Sequence, residues 1–212
     1  MKVGIMKDNS SSVVLNWNYV TLSLVVFAIL TIMVMYMPGM REIDTEILKS
    51  VRRFLGQFPS YIPVFFSNYG GVGNFIWPQI TACSVLVSHQ KYLKAFLLVF
   101  FTQGTYWLVD GFIKNIICRE RPTLHSGYSF PSGHTTITMV FYGIVIYLIM
   151  KYTRSQFWRI ALSIFFGFMI FMVALSRLWL GVHFPSDVLA GLFLGFLLVN
   201  LYIILDKFFS AR

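Results

Sequence analysis

Hydrophobic positions in this chain gather into six runs close to the ~20 residues that an α-helix needs to cross a bilayer's hydrocarbon core. They cover residues 17–37, 72–88, 95–113, 135–150, 157–175 and 185–205. The second run is the least regular: Pro78 lies inside it, and Gly70, Gly71 and Gly73 crowd its start, so a kink or an earlier beginning is expected there. Between the first two runs, Ile43, Ile47, Leu48, Val51, Phe54 and Leu55 recur at helical spacing, while Arg41, Glu42, Glu46, Lys49 and Arg52 fill the other positions. That alternation predicts an amphipathic helix lying at the membrane interface. The expected fold is therefore all-α: a polytopic membrane helical bundle with six transmembrane helices and an amphipathic interfacial helix in the first outer loop. It is expected to form a single integral-membrane domain over residues 1–212, without internal repeats. Lys2 and Lys7 precede the first run as in a signal peptide, but the run is too long for a signal core and has no small-residue cleavage site, so it is read as a retained span.

Composition agrees with this pattern. The apolar fraction is 57% and the charged fraction only 12%, which places the chain outside the range of soluble globules. The net charge of +9 does not point to nucleic acid, because the basic residues are scattered between apolar runs instead of forming a patch. An anionic bilayer and an anionic substrate account for it better. Cys83 and Cys118 supply neither a disulfide framework nor a metal-ligand spacing, and no metal or cofactor is expected. With the N-terminus inside, nine Lys and Arg fall on the cytoplasmic side and eight outside. Lys114, Arg121 and Arg177 would be held outside by function, and setting them aside leaves nine against five. The expected location is the plasma membrane, with both termini cytoplasmic. Because two runs, the fourth and fifth, separate them, the third and fifth loops share one side, the extracytoplasmic one in this orientation.

Those loops and their edges carry the chemistry, in three stretches: residues 114–122 (KNIICRERP), 131–134 (PSGH) and 176–187 (SRLWLGVHFPSD). Lys114 offers a point charge, and Arg121 and Arg177 offer planar forks that match phosphate oxygens. Ser132 is a good helix N-cap, and Gly133 lets backbone amides approach an anion at the start of the fourth run. Pro185 suits the first turn of the last helix, so Asp187 can reach back to His183, fix its tautomer and leave one ring nitrogen free to attack phosphorus. His134 is then available to protonate the leaving oxygen and to activate water. Any one of these residues alone would read as capping or as snorkelling at the membrane edge; gathered on one side they point to phosphoryl transfer.

The three stretches resemble the signature of the type 2 phosphatidic acid phosphatase superfamily: a Lys, six residues, Arg-Pro; then Pro-Ser-Gly-His; then Ser-Arg, five residues, His, three residues, Asp. Every defining position matches. The resemblance implies a six-helix core and a metal-independent lipid phosphatase working through a phosphohistidine. It makes His183 the nucleophile, Asp187 its partner and His134 the acid–base. Lys114, Arg121, Ser132, Gly133 and Arg177 would hold the phosphoryl group. The family also has soluble vanadate-binding haloperoxidases, a branch that the apolar runs argue against.

Asp110, one helical turn before Lys114 in an apolar run, is expected to pair with Lys114 or Arg177 behind the phosphate-binding residues. Arg119, Glu120 and His125 are expected to be solvated loop charge, and His89 to lie on the opposite face without a chemical role. Trp17, Tyr152 and Trp158 read as interface anchors. Two alternatives stay open: a phosphotransferase using the same site, and a transporter or channel whose intramembrane charges line a path. The expected partners are the bilayer and a lipid phosphate, with undecaprenyl diphosphate and phosphatidylglycerophosphate the first substrates to test.

Overall fold

The structure, a computed structural model, describes residues 9–68, 75–123 and 126–210. Among them there is no strand, and the chain is a bundle of helices that exposes its grease. Leu22, Ile29 and Ile32 of α1 (Asn9–Tyr36) point outward, as do Ile164, Phe168 and Phe171 of α8 (Gln156–Trp179). Apolar side chains turned outward and satisfied backbones within are what a hydrocarbon solvent selects. Threonine and serine side chains in the spans close their own bonds, as Thr102 and Thr105 do to the carbonyls of Leu98 and Phe101.

Among the described residues, five helices are long and apolar enough to cross a membrane: Trp17–Tyr36, Tyr92–Ile117, Gly133–Tyr152, Gln156–Trp179 and Pro185–Ser210. Most overrun their predicted windows, because hydropathy stops at the first charge whereas the helix continues once that charge is paired. Lys114, just beyond the third window, pairs with Asp110, and Asp206, just beyond the last, pairs with Lys94 and Lys151. The second window is described only in part. Its helix, α4 (Ile76–Ser88), has 13 residues, about 20 Å of rise, and residues 72–74 of the window lie outside those described. Pro78 falls in the first turn of α4, where a missing amide breaks no helical bond. A separate short helix, α3 (Tyr61–Asn68), packs on α8.

The amphipathic segment is α2 (Met40–Leu55). Its face toward the protein is Met40, Asp44, Leu48 and Leu55, while Ile43, Ile47 and Phe54 remain exposed. The long third helix is α5 (Tyr92–Tyr106), a π-helical stretch Trp107–Ile113, and α6 (Lys114–Ile117). Cys118, in the left-handed conformation, ends it by donating its amide to the Lys114 carbonyl at 2.9 Å. The centre of the bundle is α7 (Gly133–Tyr152) against α9 (Pro185–Ser210), with α8 and α5 beside α7 and α1 beside α9. The two central helices come close through small residues: a methyl added to Gly195 would stand 2.6 Å from Met139 Cβ, and one added to Gly143 would stand 2.7 Å from a Val199 methyl. Phe75, Phe101, Phe141, Tyr142 and Tyr202 fill the core between α4, α5, α7 and α9.

Candidate active site

Four helix ends meet at one end of this bundle: the C-termini of α6 and α8 and the N-termini of α7 and α9. Each brings one part of the three sequence stretches. Ser132 caps α7, its hydroxyl 2.9 Å from that of Thr135, and its own amide donates to the Asp187 carbonyl at 3.0 Å, which joins the starts of α7 and α9. The next two amides, of Gly133 and His134, have no acceptor among the described residues and form the open positive end of α7. Gly133 keeps this approach open: a methyl on it would lie 2.9 Å from Asp110 Oδ2 and 3.5 Å from Lys114 Nζ, and the carboxylate would have to shift. The ion pair of Asp110 and Lys114 therefore sits directly against the start of α7. Of the two partners expected for Asp110, the structure gives it Lys114.

His183 is buried in the loop between α8 and α9, with 1% of its surface exposed. Arg121 Nη1 lies 3.2 Å from His183 Nε2 and also donates to the Val182 carbonyl at 3.2 Å. A guanidinium can only donate, so Nε2 must present its lone pair and the ring proton sits on Nδ1. Nδ1 faces Asp187 Oδ2 at 3.5 Å, too long for a well-formed hydrogen bond, and the same oxygen accepts the Phe184 amide at 2.8 Å. Burial pushes the His183 pKa down to about 4 against the opposing pull of Asp187, so the ring is neutral at ordinary pH. Burial also lowers Arg121, outweighing the attraction of Asp187 and Asp110, yet a guanidinium stays charged. His134, half-buried in the first turn of α7, lies within electrostatic reach of Arg177, His183, Lys114 and Arg121 and makes no hydrogen bond to a described residue. Arg177, in the last turn of α8, donates to Ser67 Oγ of α3 and keeps its Nε buried without a partner among the described residues. An orphaned buried donor costs more than a lost hydrogen bond, and an anion would satisfy it.

Several residues escaped sequence reasoning. Arg119, expected in solvated loop, is mostly buried: Nη1 donates to Asp187 Oδ1 at 2.6 Å and to Ser186 Oγ at 2.7 Å, and Nη2 to Asp44 Oδ2 at 2.6 Å. Its guanidinium stacks over the Phe184 ring at 4.4 Å. Asp44 also accepts the Ser186 amide at 3.1 Å and the Ser186 hydroxyl. Thus α2 is tied to the loop behind His183 by a buried carboxylate. The available signal was Asp44 standing in line with Met40 and Leu48, a polar residue in an apolar stripe. Glu120 is exposed and pairs with Arg41 at 3.1 Å, His89 is exposed at the end of α4, and His125 lies outside the described residues. Among the described residues, no group of three or more His, Cys, Asp or Glu is arranged to hold a metal ion.

Comparison with known proteins follows the same geometry. The chain is 31% identical over 139 residues to phosphatidylglycerophosphatase B of Bacillus subtilis, a match covering 60% of this chain and 66% of that protein, just under two thirds of its length. It is 28% identical over 191 residues to an undecaprenyl-diphosphatase of Sulfolobus acidocaldarius, covering 84% and 86% of the two chains. Its fold superposes on the crystal structure of a transmembrane PAP2 type phosphatidylglycerolphosphate phosphatase from Bacillus subtilis with a TM-score of 0.79, at 23% identity, over 89% of this chain and 96% of that one. The family model of the PAP2 superfamily matches residues 91–209, which include Lys114, Arg121, both histidines and Asp187. This multi-pass membrane protein, more than half of it matched with all three phosphate-directed stretches inside the match, belongs to the PAP2 superfamily.

Proposed function

We propose that the protein is an integral-membrane phosphatase that hydrolyses a lipid phosphate or diphosphate through a phosphohistidine. Undecaprenyl diphosphate and phosphatidylglycerophosphate are the foremost candidate substrates, as the names of two relatives suggest. The observation that carries this reading is the setting of His183: a neutral ring between a carboxylate at Nδ1 and a guanidinium at Nε2. In the reaction, Nε2 attacks phosphorus, the bond from phosphorus to the leaving oxygen breaks, and His134 gives that oxygen its proton. Water then attacks the phosphohistidine, His134 takes a water proton, the phosphorus–nitrogen bond breaks, and inorganic phosphate leaves. Asp187 orients His183 and stabilises the imidazolium that develops on attack. Lys114, Arg121, Arg177, Ser132 and the amides of Gly133 and His134 take the equatorial oxygens, where fixed charge contributes most. Asp110 positions Lys114. No step in this scheme uses a metal ion.

In the membrane, α3 and α4 together make the second of six crossings, and α2 lies on the outer surface with Ile43, Ile47 and Phe54 in the acyl boundary. Both termini are then cytoplasmic and the site opens on the extracytoplasmic face.

The test is phosphate release by purified protein in detergent from undecaprenyl diphosphate, phosphatidylglycerophosphate, phosphatidic acid and lipid A. His183→Ala is expected to abolish release while the protein remains folded, and acid-labile radiolabelled phosphate is expected on the wild-type protein. Undiminished release by His183→Ala would overturn the assignment.

A further inference from the structure

Between α2 and the loops bearing Arg121 and His183 lies a cleft of about 530 Å³. Arg41, Lys49, Arg52 and Arg53 line it from α2, with Thr123 and Phe184 on the other wall. Among the described residues, its lining includes four cations and no carboxylate. Arg41 and Lys49 are paired at the exposed rim, with Glu120 at 3.1 Å and Glu46 at 2.7 Å. Arg52 and Arg53 form no ion pair with a carboxylate among the described residues. Arg52 is also the one fitted to the catalytic loop. A methyl on Gly181 would lie 3.0 Å from its Cζ, Nε and Nη1, and Gly181 has φ +70°, so the guanidinium rests on bare backbone. Thr123 Oγ1 donates to the Gly181 carbonyl at 3.2 Å, holding the two loops together. Gly181 is two residues before His183, at most about 7 Å along the backbone. Phe184 and Pro122, which border the cleft, directly follow His183 and Arg121.

We propose that this cleft is the subsite for a second, non-scissile phosphate in the lipid headgroup, with Arg52 its principal ligand and Arg53 its neighbour. The proposal rests on the phosphatase reading above and narrows its substrate class to headgroups with two phosphates, bonded directly or through a short polyol. An anion held by Lys114, Arg121 and Arg177 leaves a second phosphate on the same headgroup directed toward Arg52 and Arg53, which no carboxylate among the described residues pairs with. A guanidinium fork grips such a group in pairs of hydrogen bonds. The same cations could instead attract anionic bilayer lipids, and the measurements below separate the two.

Binding of methylenediphosphonate and of methylphosphonate is measured on wild type, Arg52→Gln and Arg53→Gln in neutral detergent, alongside KM for phosphatidic acid and for the two-phosphate lipids in neutral detergent and in vesicles containing phosphatidylglycerol. Wild type is expected to prefer the diphosphonate, and Arg52→Gln to reduce that preference by about ten-fold. Its KM for two-phosphate lipids should rise about ten-fold more than its KM for phosphatidic acid. Arg53→Gln should shift both readouts in the same direction by less, and it serves if Arg52→Gln fails to fold. Equal effects on both ligand classes, or a defect confined to anionic vesicles, overturn the subsite. A diphosphonate preference lost in Arg52→Gln, in a wild type that hydrolyses none of the lipids, supports the subsite and removes the phosphatase reading instead.

Discussion

His183 is neutral because it is buried, and that has a measurable sign. Its folded pKa, about 4, lies below the ordinary histidine value, so between them the unfolded chain holds more protons than the native one. Its contribution to stability is full above about pH 6.5 and declines as pH falls toward 4. The expected outcome is a melting temperature that drops across that window in wild type and drops less in His183→Gln. In kinetics, the acid limb of kcat/KM that belongs to His183 should lie near 4; a limb at the usual histidine value would contradict the burial argument. Arg119 offers a second test at this scale. It is the cation shared by the buried carboxylates Asp44 and Asp187, so Arg119→Ala should cost about 3–5 kcal/mol in stability and lower kcat as well. Lys at this position keeps the charge without a fork that reaches both acids, and should fall between. Nothing near Arg119 in sequence marks it as buried, since its acceptors come from residues 44, 186 and 187.

Among the elements, the features written locally were legible. Ser132 as a cap, Pro185 in a first turn and Asp187 one turn after His183 each depend on neighbours within a few residues. The amphipathic period of α2 was equally plain, but which stripe faces the protein was not. An interfacial helix leaves Ile43 and Ile47 to the bilayer, as the structure does; that Asp44 turns toward the protein depends on Arg119 and Ser186, both distant in sequence. The irregularity of the second run was legible from Pro78, but an apolar run does not say where Pro78 will fall relative to a helix start. The meeting of α6 with α7 yields a prediction that depends on such a contact. Gly133→Ala drives a methyl to 2.9 Å from Asp110 Oδ2 and displaces Lys114 from the start of α7. We expect kcat to fall about 100-fold, with the melting temperature little changed, because small misplacements of a positioned charge are costly to catalysis.

At the scale of the molecule, the two apolar runs between them already place the third and fifth loops on one side, and the structure puts their motif residues at one end of the bundle. What no pattern in the sequence disclosed is the fastening at the other end. Asp206, 1% exposed, pairs with Lys94 and Lys151 and accepts the Tyr147 hydroxyl at 2.7 Å, uniting the ends of α5, α7 and α9. Asp206→Asn should lower stability by about 3 kcal/mol, read as an earlier thermal transition in detergent, with KM and kcat unaltered in the protein that stays folded. Back at the reacting end, the cations are largely balanced before any ligand arrives: Lys114 leans on Asp110, and Arg119 on Asp44 and Asp187, leaving Arg121 and Arg177 as the surplus. A compensated pocket has little grip on a small ion once the greasy tail has been cut away. Orthophosphate should therefore be a poor product inhibitor, with a Ki on the order of a millimolar or weaker, and turnover should be paced by bond breaking rather than by departure.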